Sequence, residues 1–292
     1  MRTHPFGWIE EPLSVGSSDF EISPVDDFHA AVSDGIKFFA RDDEWFDTIA
    51  VPKRFELPLT HKLTVDPSVI NGQLAHLLIS VFGFLHGLKL NPEEIGHLHK
   101  TPRKIGKLSN FTLPNANEVK KCLESVITFY TNHTTTKPKA IKLMEAALHW
   151  HLTSLSYEHD LELFCWQYMV LDNIHKLKCL IDPEYQKKMR RKGHAQRPVQ
   201  LACRYGIVLH QAFSDSPLKK NAEALKEHRN KLIHEAQWAN QPLGHTVDRK
   251  SHEMTIALTW FNSQLILESI GIKCKFLSVD AGVLARSHLG VI

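Results

Sequence analysis

From Pro67 onward the chain repeats apolar residues three and four positions apart, the spacing that puts them on one face of a helix. Val69 to Leu90 and Asn117 to Tyr130 follow this period, and so do Lys139 to Ser156, Asp160 to Ile181, Pro198 to Phe213, Pro217 to Ala239 and Ser251 to Ile270. Pro183, Pro198 and Pro217 stand where a first helical turn tolerates a missing N–H. Before Pro67 the pattern differs. Pro5, Pro12, Pro24, Pro52 and Pro58 interrupt it, and Phe55 to Val65 alternates apolar with polar. That predicts a few short strands with one helical stretch near Asp26 to Ala40. Ile272 to Val279 reads as a short closing strand.

Thr131 to Pro138 (TNHTTTKP) is β-branched, polar and ends on proline, the character of a linker. It predicts two parts. Residues 1–135 form a mixed α/β domain, α-rich with a few short strands, in a regulatory or sensing role. Residues 136–292 form a helical bundle. The expected fold class is therefore mainly α.

With 292 residues, 43% of them hydrophobic and 23% charged, the chain can bury a sizeable core. A net charge of +3 permits nucleic acid as a partner without requiring it. Cys122, Cys165, Cys179, Cys203 and Cys274 include no C-x-x-C pair and read as free thiols of a reducing compartment. The opening MRTHPFGWIEEP lacks an apolar signal-peptide core. The most apolar run, Leu77 to Leu85, is far shorter than the roughly 20 residues that span a bilayer. A cytoplasmic protein with no membrane partner is the expectation.

Arginine followed by histidine after four to six residues is a weak pattern in a chain with 19 histidines. It occurs at Arg54 to His61, Arg204 to His210 and Arg229 to His234. Context separates the three. The first lies among prolines, with no helix to hold its register. The second, CRYGIVLH, is expected inside an apolar helix, with His210 facing the core and bonded to a backbone carbonyl. The third, RNKLIH, lies in a polar-rich helix where Asn230 and His234 are four apart and share a face, within reach of the long Arg229 side chain. Leu225, Leu232, Ala236 and Ala239 form a separate apolar stripe that anchors this helix.

The R-N-K-L-I-H sequence, on a late helix after the paired-helix stretch ALHWHLTSLSYEHDLELFCWQYMVLDNIHKL, resembles the HEPN family, and within it the Apea-type HEPN domains. The likeness covers about residues 139–270 and matches the family motif at Arg229, Asn230 and His234. It implies a HEPN-like helical bundle that dimerises with its motif helices facing each other. It also implies RNA cleavage in active members, in toxin or antiviral (abortive-infection) defence roles, with an inhibitor or activator protein as a further partner. Some toxin-type members carry a tyrosine two positions after the histidine, where this chain has Ala236, so regulation by nucleotide transfer to that position is not expected.

Metal-free RNA cleavage needs a base for the ribose 2′-OH, an acid for the leaving 5′-oxygen, and positive charge on the phosphate. Histidine, titrating near about 6.5, can serve either proton-transfer role, and arginine presents a planar fork to phosphate oxygens. The expected roles are base or acid for His234, phosphate clamp for Arg229, and orientation of the histidine or a phosphate bond for Asn230. One such histidine per chain fills one role, so a homodimer would complete the set. The competing readings are a catalytically inactive dimerisation or RNA-binding module and a ligand-sensing regulator.

Lys187, Lys188, Arg190, Arg191 and Lys192 form a dense basic stretch, expected in a loop and suited to a phosphate backbone. Asp172, amid Val170, Leu171 and Ile174, needs a partner if buried and is a candidate support for Arg229 or for helix packing. Trp150, Phe164, Trp166 and Tyr168 read as core rather than base-stacking aromatics. His97 with His99 and His149 with His151 are pairs two residues apart, which diverge on a helix, and no carboxylate or cysteine cluster completes a site. No metal and no cofactor are expected. The chain lacks a glycine-rich phosphate loop, a G-x-S-x-G elbow and an H-E-x-x-H helix, so nucleotide hydrolysis, esterase chemistry and zinc proteolysis lack support.

Overall fold

The computed structural model describes residues 1–34, 59–92, 105–155, 159–214, 222–235, 237–238, 241–242, 249–279 and 287–291. The protein is mainly helical, with a small antiparallel sheet. It divides into two compact units, Met1–Ser109 with Leu113–Ile127 and Asn110–Thr112 with Thr128–Ile292. Among the described residues no helix is long and apolar enough to cross a membrane.

The first unit is built on strands β1 (Arg2–Gly7), β2 (Val15–Gly16), β3 (Phe20–Pro24), β4 (His61–Val65) and β5 (Asn91–Pro92), in the order β2-β3-β4-β1-β5. Strand alternation buries Phe6, Phe20, Ile22, Leu63 and Val65, as a sheet with one covered face requires. Helix α1 (Gly72–His86) supplies the cover, and Phe82 meets Phe6 edge-on at 6.0 Å. Asn71 begins α1 by accepting the Leu74 N–H at 3.0 Å, and Gly87 ends it in the left-handed conformation, φ 61°. Residues 28–34 are helical, whereas the rest of the stretch expected to reach Ala40 lies outside the described residues.

Helix α2 (Ala116–His133) opens with a reciprocal cap: Asn115 Oδ1 accepts the Glu118 N–H, and Glu118 Oε2 accepts the Asn115 N–H, both at 3.0 Å. The boundary between the units falls within this helix. The Thr131–Pro138 stretch is therefore not an extended linker. Helix continues to His133 and a tight turn follows, because Tyr130 and His133 carbonyls accept the Thr134 and Lys137 N–H groups.

The second unit is a bundle of α3 (Pro138–Ser154), α4 (Asp160–Ile181) and α8 (Arg249–Ile270), flanked by α5 (Pro183–Met189), α6 (Gln196–Tyr205) and α7 (Glu223–Glu235). Helix α8 is buried on nearly every side. A polar network threads the three main helices. His151 reaches Gln167 Oε1 at 3.2 Å and Ser263 Oγ at 3.1 Å, Gln167 donates to Ser154 Oγ at 2.6 Å, and Asn262 donates to Gln167 at 2.7 Å. Groups buried this deeply need such partners, and the bonds lock the register of the helices.

The helices depart from the periodicity in three places. Helix α6 stops at Tyr205, because Gly206 adopts φ 69° as a C-cap. Helix α7 ends at Glu235 and is followed by a two-residue strand β7 (Gln237–Trp238), paired with β8 (Gln241–Pro242). The closing stretch forms a 3₁₀ turn at Lys275–Ser278 rather than a strand, and Gln264 donates to the Phe276 and Val279 carbonyls at 2.9 Å. That side chain takes the place of a ladder partner. The short parallel pair β6 (Phe111–Thr112) with β9 (Ser287–His288) closes this unit.

Candidate active site

Helix α7 is held by Leu225 and Leu232, both buried, while Ala236 and Ala239 of the expected stripe lie outside the described residues, as does the regulatory position that Ala236 occupies. A second anchor was not legible in the periodicity. The His228 ring meets Trp238 at 4.4 Å and Phe164 at 4.9 Å, edge-on in both cases, and Phe164 is fully buried. This aromatic cluster pins the middle of α7 to α4 and fixes the next residue, Arg229.

Arg229, Asn230 and His234 meet. Arg229 Nη1 donates to Asn230 Oδ1 at 2.9 Å and lies 3.2 Å from His234 Nε2. The guanidinium also lies over the Tyr168 ring, 5.8 Å from its centroid, within the reach of a cation–π contact. His234 is exposed and Arg229 is half-buried. The adjacent Lys231 pairs with Glu227 at 2.8 Å along the helix, which leaves Arg229 as the cation of the trio.

The other arginine–histidine pairs differ. Arg54 lies outside the described residues, and His61 is buried in β4, 3.1 Å from Thr60 Oγ1. Arg204, in the last turn of its helix, donates to Asp182 at 2.8 Å. His210 is buried but not helical, and its Nδ1 accepts the Ala212 N–H at 3.1 Å. The expected carbonyl bond is thus replaced by a backbone cap, because the helix has already ended at Gly206.

Tyr168 belongs to a polar face of α4. Tyr168, Asp172, His175 and Cys179 are spaced four, three and four apart, which aligns them on one side. The segment after α4 folds over that face. His194 Nδ1 lies 3.0 Å from Tyr168 Oη, Arg197 Nη1 donates to Asp172 at 2.6 Å, and Tyr185 Oη lies 3.0 Å from His175 Nδ1. Asp172 therefore supports Arg197, not Arg229, because α6 brings Arg197 to it first.

Burial pushes the Tyr168 phenol up to about 12, with the Asp172 carboxylate adding to it against Arg197 and Arg229, so the hydroxyl keeps its proton. Burial and then the Arg197 charge lower His194, with further lowering from Arg229 and Lys226 opposed by Asp172. His175 falls to about 4, through burial first and Arg197 next.

Lys187, Lys188, Arg190, Arg191 and Lys192 are all exposed. They do not form the expected loop throughout. Asp182 caps α5 by accepting the Tyr185 N–H at 3.0 Å, so Lys187 and Lys188 occupy its last turn and the arginines follow in a turn. Cations there complement the helix dipole. Burial pushes the Asp182 carboxyl up, but bonds from the Tyr185 N–H, Arg204 and Lys178 outweigh it and bring it to about 2.

Of the aromatics read as core, Phe164 and Tyr168 are buried. Trp150 and Trp166 are half-buried and stacked on each other, centroids 4.3 Å apart. His97 and His99 lie outside the described residues, and His151 is engaged by Gln167 and Ser263. Among the described residues no three His, Cys, Asp or Glu side chains are grouped to hold a metal ion. No protein-family model, curated protein or solved structure matches the chain.

Proposed function

We propose that the protein is a metal-independent endoribonuclease of the HEPN type, of the toxin or phage-defence kind, acting on RNA in the cytoplasm as a homodimer. The N-terminal part restrains or triggers it, alone or with an inhibitor or activator protein. One observation carries the reading: Arg229 holds its guanidinium within 3.2 Å of His234 and 2.9 Å of Asn230 on an accessible stretch of helix. A permanent cation beside an imidazole supplies the charge on the phosphate and one of the two proton-transfer groups that phosphodiester transesterification uses.

In that role Arg229 binds the scissile phosphate and stabilises its developing charge. Its present bond to His234 Nε2 is exchanged for one to a phosphate oxygen, which frees the imidazole for proton transfer. Asn230 keeps the guanidinium in plane. The basic run from Lys187 to Lys192 supplies sequence-independent attraction to the backbone. Ile233, 54% exposed beside His234, supports contact with a second copy there.

The test is cleavage of structured and single-stranded RNA by purified full-length protein in excess chelator, with fragment ends analysed. Wild type yields 2′,3′-cyclic phosphate and 5′-hydroxyl ends, and Arg229→Ala and His234→Ala each lose about 100-fold or more. Undiminished cleavage by His234→Ala sinks the reading. Sedimentation of Ile233→Asp beside wild type tests the dimer, and an unchanged sedimentation coefficient counts against it.

A further inference from the structure

The motif itself offers one histidine, His234, since His228 of the same helix packs against Phe164 and Trp238, yet His194 shares an aromatic neighbour with Arg229 in the same chain. His194 and Arg229 share Tyr168 as a platform. The guanidinium lies over the ring at 5.8 Å, while the His194 ring runs at 29° to it with centroids 6.1 Å apart. The Tyr168 hydroxyl lies 3.0 Å from His194 Nδ1, so the contact orients the imidazole and takes no part of Nε2. A phenol that keeps its proton can donate to Nδ1 or, by turning, accept from it. Either tautomer of His194 is therefore supported, which a proton-transfer group requires.

We propose that His194 is the second proton-transfer residue of the site, oriented by Tyr168, so that one chain carries both histidines of an RNA-cleaving centre around Arg229. The inference rests on the nuclease reading and changes where the second histidine comes from. A homodimer then presents two such centres rather than completing one.

The groups facing His194 agree with this placement. The charges of Arg229 and Lys226 on α7, Arg197 on α6 and Asp172 on α4 act on it through space, and the Tyr168 hydroxyl of α4 meets it directly. With its Nδ1 held by the Tyr168 hydroxyl, His194 presents Nε2 as the base, and the acid role falls to His234. In the reaction the 2′-oxygen bonds to phosphorus as its proton passes to His194 Nε2. The bond from phosphorus to the 5′-oxygen breaks, and that oxygen takes a proton from protonated His234. The products are a 2′,3′-cyclic phosphate and a 5′-hydroxyl, with no water consumed, and proton exchange with solvent restores both rings. Tyr168 is a positioning residue here and Arg229 the phosphate clamp.

The experiment has two arms on the full chain. In the first, histidine ring resonances are titrated by NMR in sodium sulfate and in sodium chloride of equal ionic strength. Sulfate stays a dianion through the range and stands in for the phosphate. Sulfate bound between the rings raises the pKa values of His194 and His234 together by about one unit, and leaves buried His151 unmoved. A shift at His234 alone, or at neither, overturns the proposal.

In the second arm, RNA cleavage is followed against pH for wild type, His194→Asn, Tyr168→Phe and an equimolar mixture of His194→Asn with His234→Ala. His194→Asn loses about 100-fold. Tyr168→Phe, which keeps the ring, displaces the acidic limb of the profile. The mixture stays inactive. Full activity in His194→Asn, or rescue by mixing, overturns the assignment of His194 while leaving the nuclease reading intact. If wild type itself cuts nothing, the sulfate titration alone decides whether His194 and His234 share one anion.

Discussion

Arg197 Nη1 lies 2.6 Å from the Asp172 carboxylate, with both side chains about three-quarters buried. That ion pair ties the segment after α5 to the polar face of α4 and brings His194 to Tyr168. Asp172→Asn leaves the guanidinium in place without its counter-charge. Stability measured by urea unfolding falls by about 2 kcal/mol, and the His194 ring resonances move as its orientation relaxes. An unchanged urea midpoint would remove the pair from this role.

His151 of the core network and His175 of the polar face of α4 predict an acid sensitivity. Burial lowers His151 to about 4 and His175 to about 4, below the unfolded value of about 6.5. Between those values the unfolded chain binds more protons, so stability rises with pH there. The contribution is fully present above about 6.5 and is lost as pH falls towards 4. Thermal unfolding from pH 7.5 to 4.5 shows the decline, and His175→Gln makes it shallower.

Gly87 tests the first unit. Its φ is 61°, and a Cβ there would stand 2.7 Å from Ser109 N and 2.9 Å from Gly106 Cα. Gly87→Ala combines left-handed strain with backbone collision and costs about 2 kcal/mol. Denaturant unfolding monitored by a probe in the sheet checks it, and a wild-type midpoint contradicts it.

Arg229→Lys separates charge from shape. Lysine keeps the positive charge but loses the planar fork that meets Asn230, His234 and a phosphate together. RNA binding in the absence of turnover falls less than fivefold, whereas cleavage falls about 100-fold. Equal losses in both would mean that Arg229 serves only as a charge.

Replacing Lys187, Lys188, Arg190, Arg191 and Lys192 by glutamine weakens binding to all RNA sequences alike. It also flattens the dependence of log affinity on log salt. Fluorescence anisotropy at several salt concentrations reads both effects. A salt slope equal to that of wild type would show that the stretch does not meet the RNA backbone.

The helices were legible because their causes are local. Periodic apolar residues marked Asp160 to Ile181, and α4 spans the same residues, since Asp182 and Pro183 end one helix and begin the next. Boundaries that depend on a backbone conformation were less readable. Gly206 stops α6 before His210, and Trp238 leaves the helix to pack against His228 and Phe164, an outcome no propensity encodes. The Arg229, Asn230 and His234 trio was visible from spacing on one helix turn. Tyr168 read as another core aromatic, and no spacing in the chain ties His194 to the trio.

By itself, the amino-acid sequence determined the mainly helical class, the placement of the main helices and the side of α7 that carries the trio, because helix period and side-chain spacing act over a few residues. Only the tertiary structure decided that Asp172 answers Arg197 rather than Arg229, and that Tyr168 joins Arg229 to His194. The physical reason is that a buried charge or hydroxyl takes whichever partner packing brings within hydrogen-bond reach. That choice is made between helices, where sequence separation carries no information.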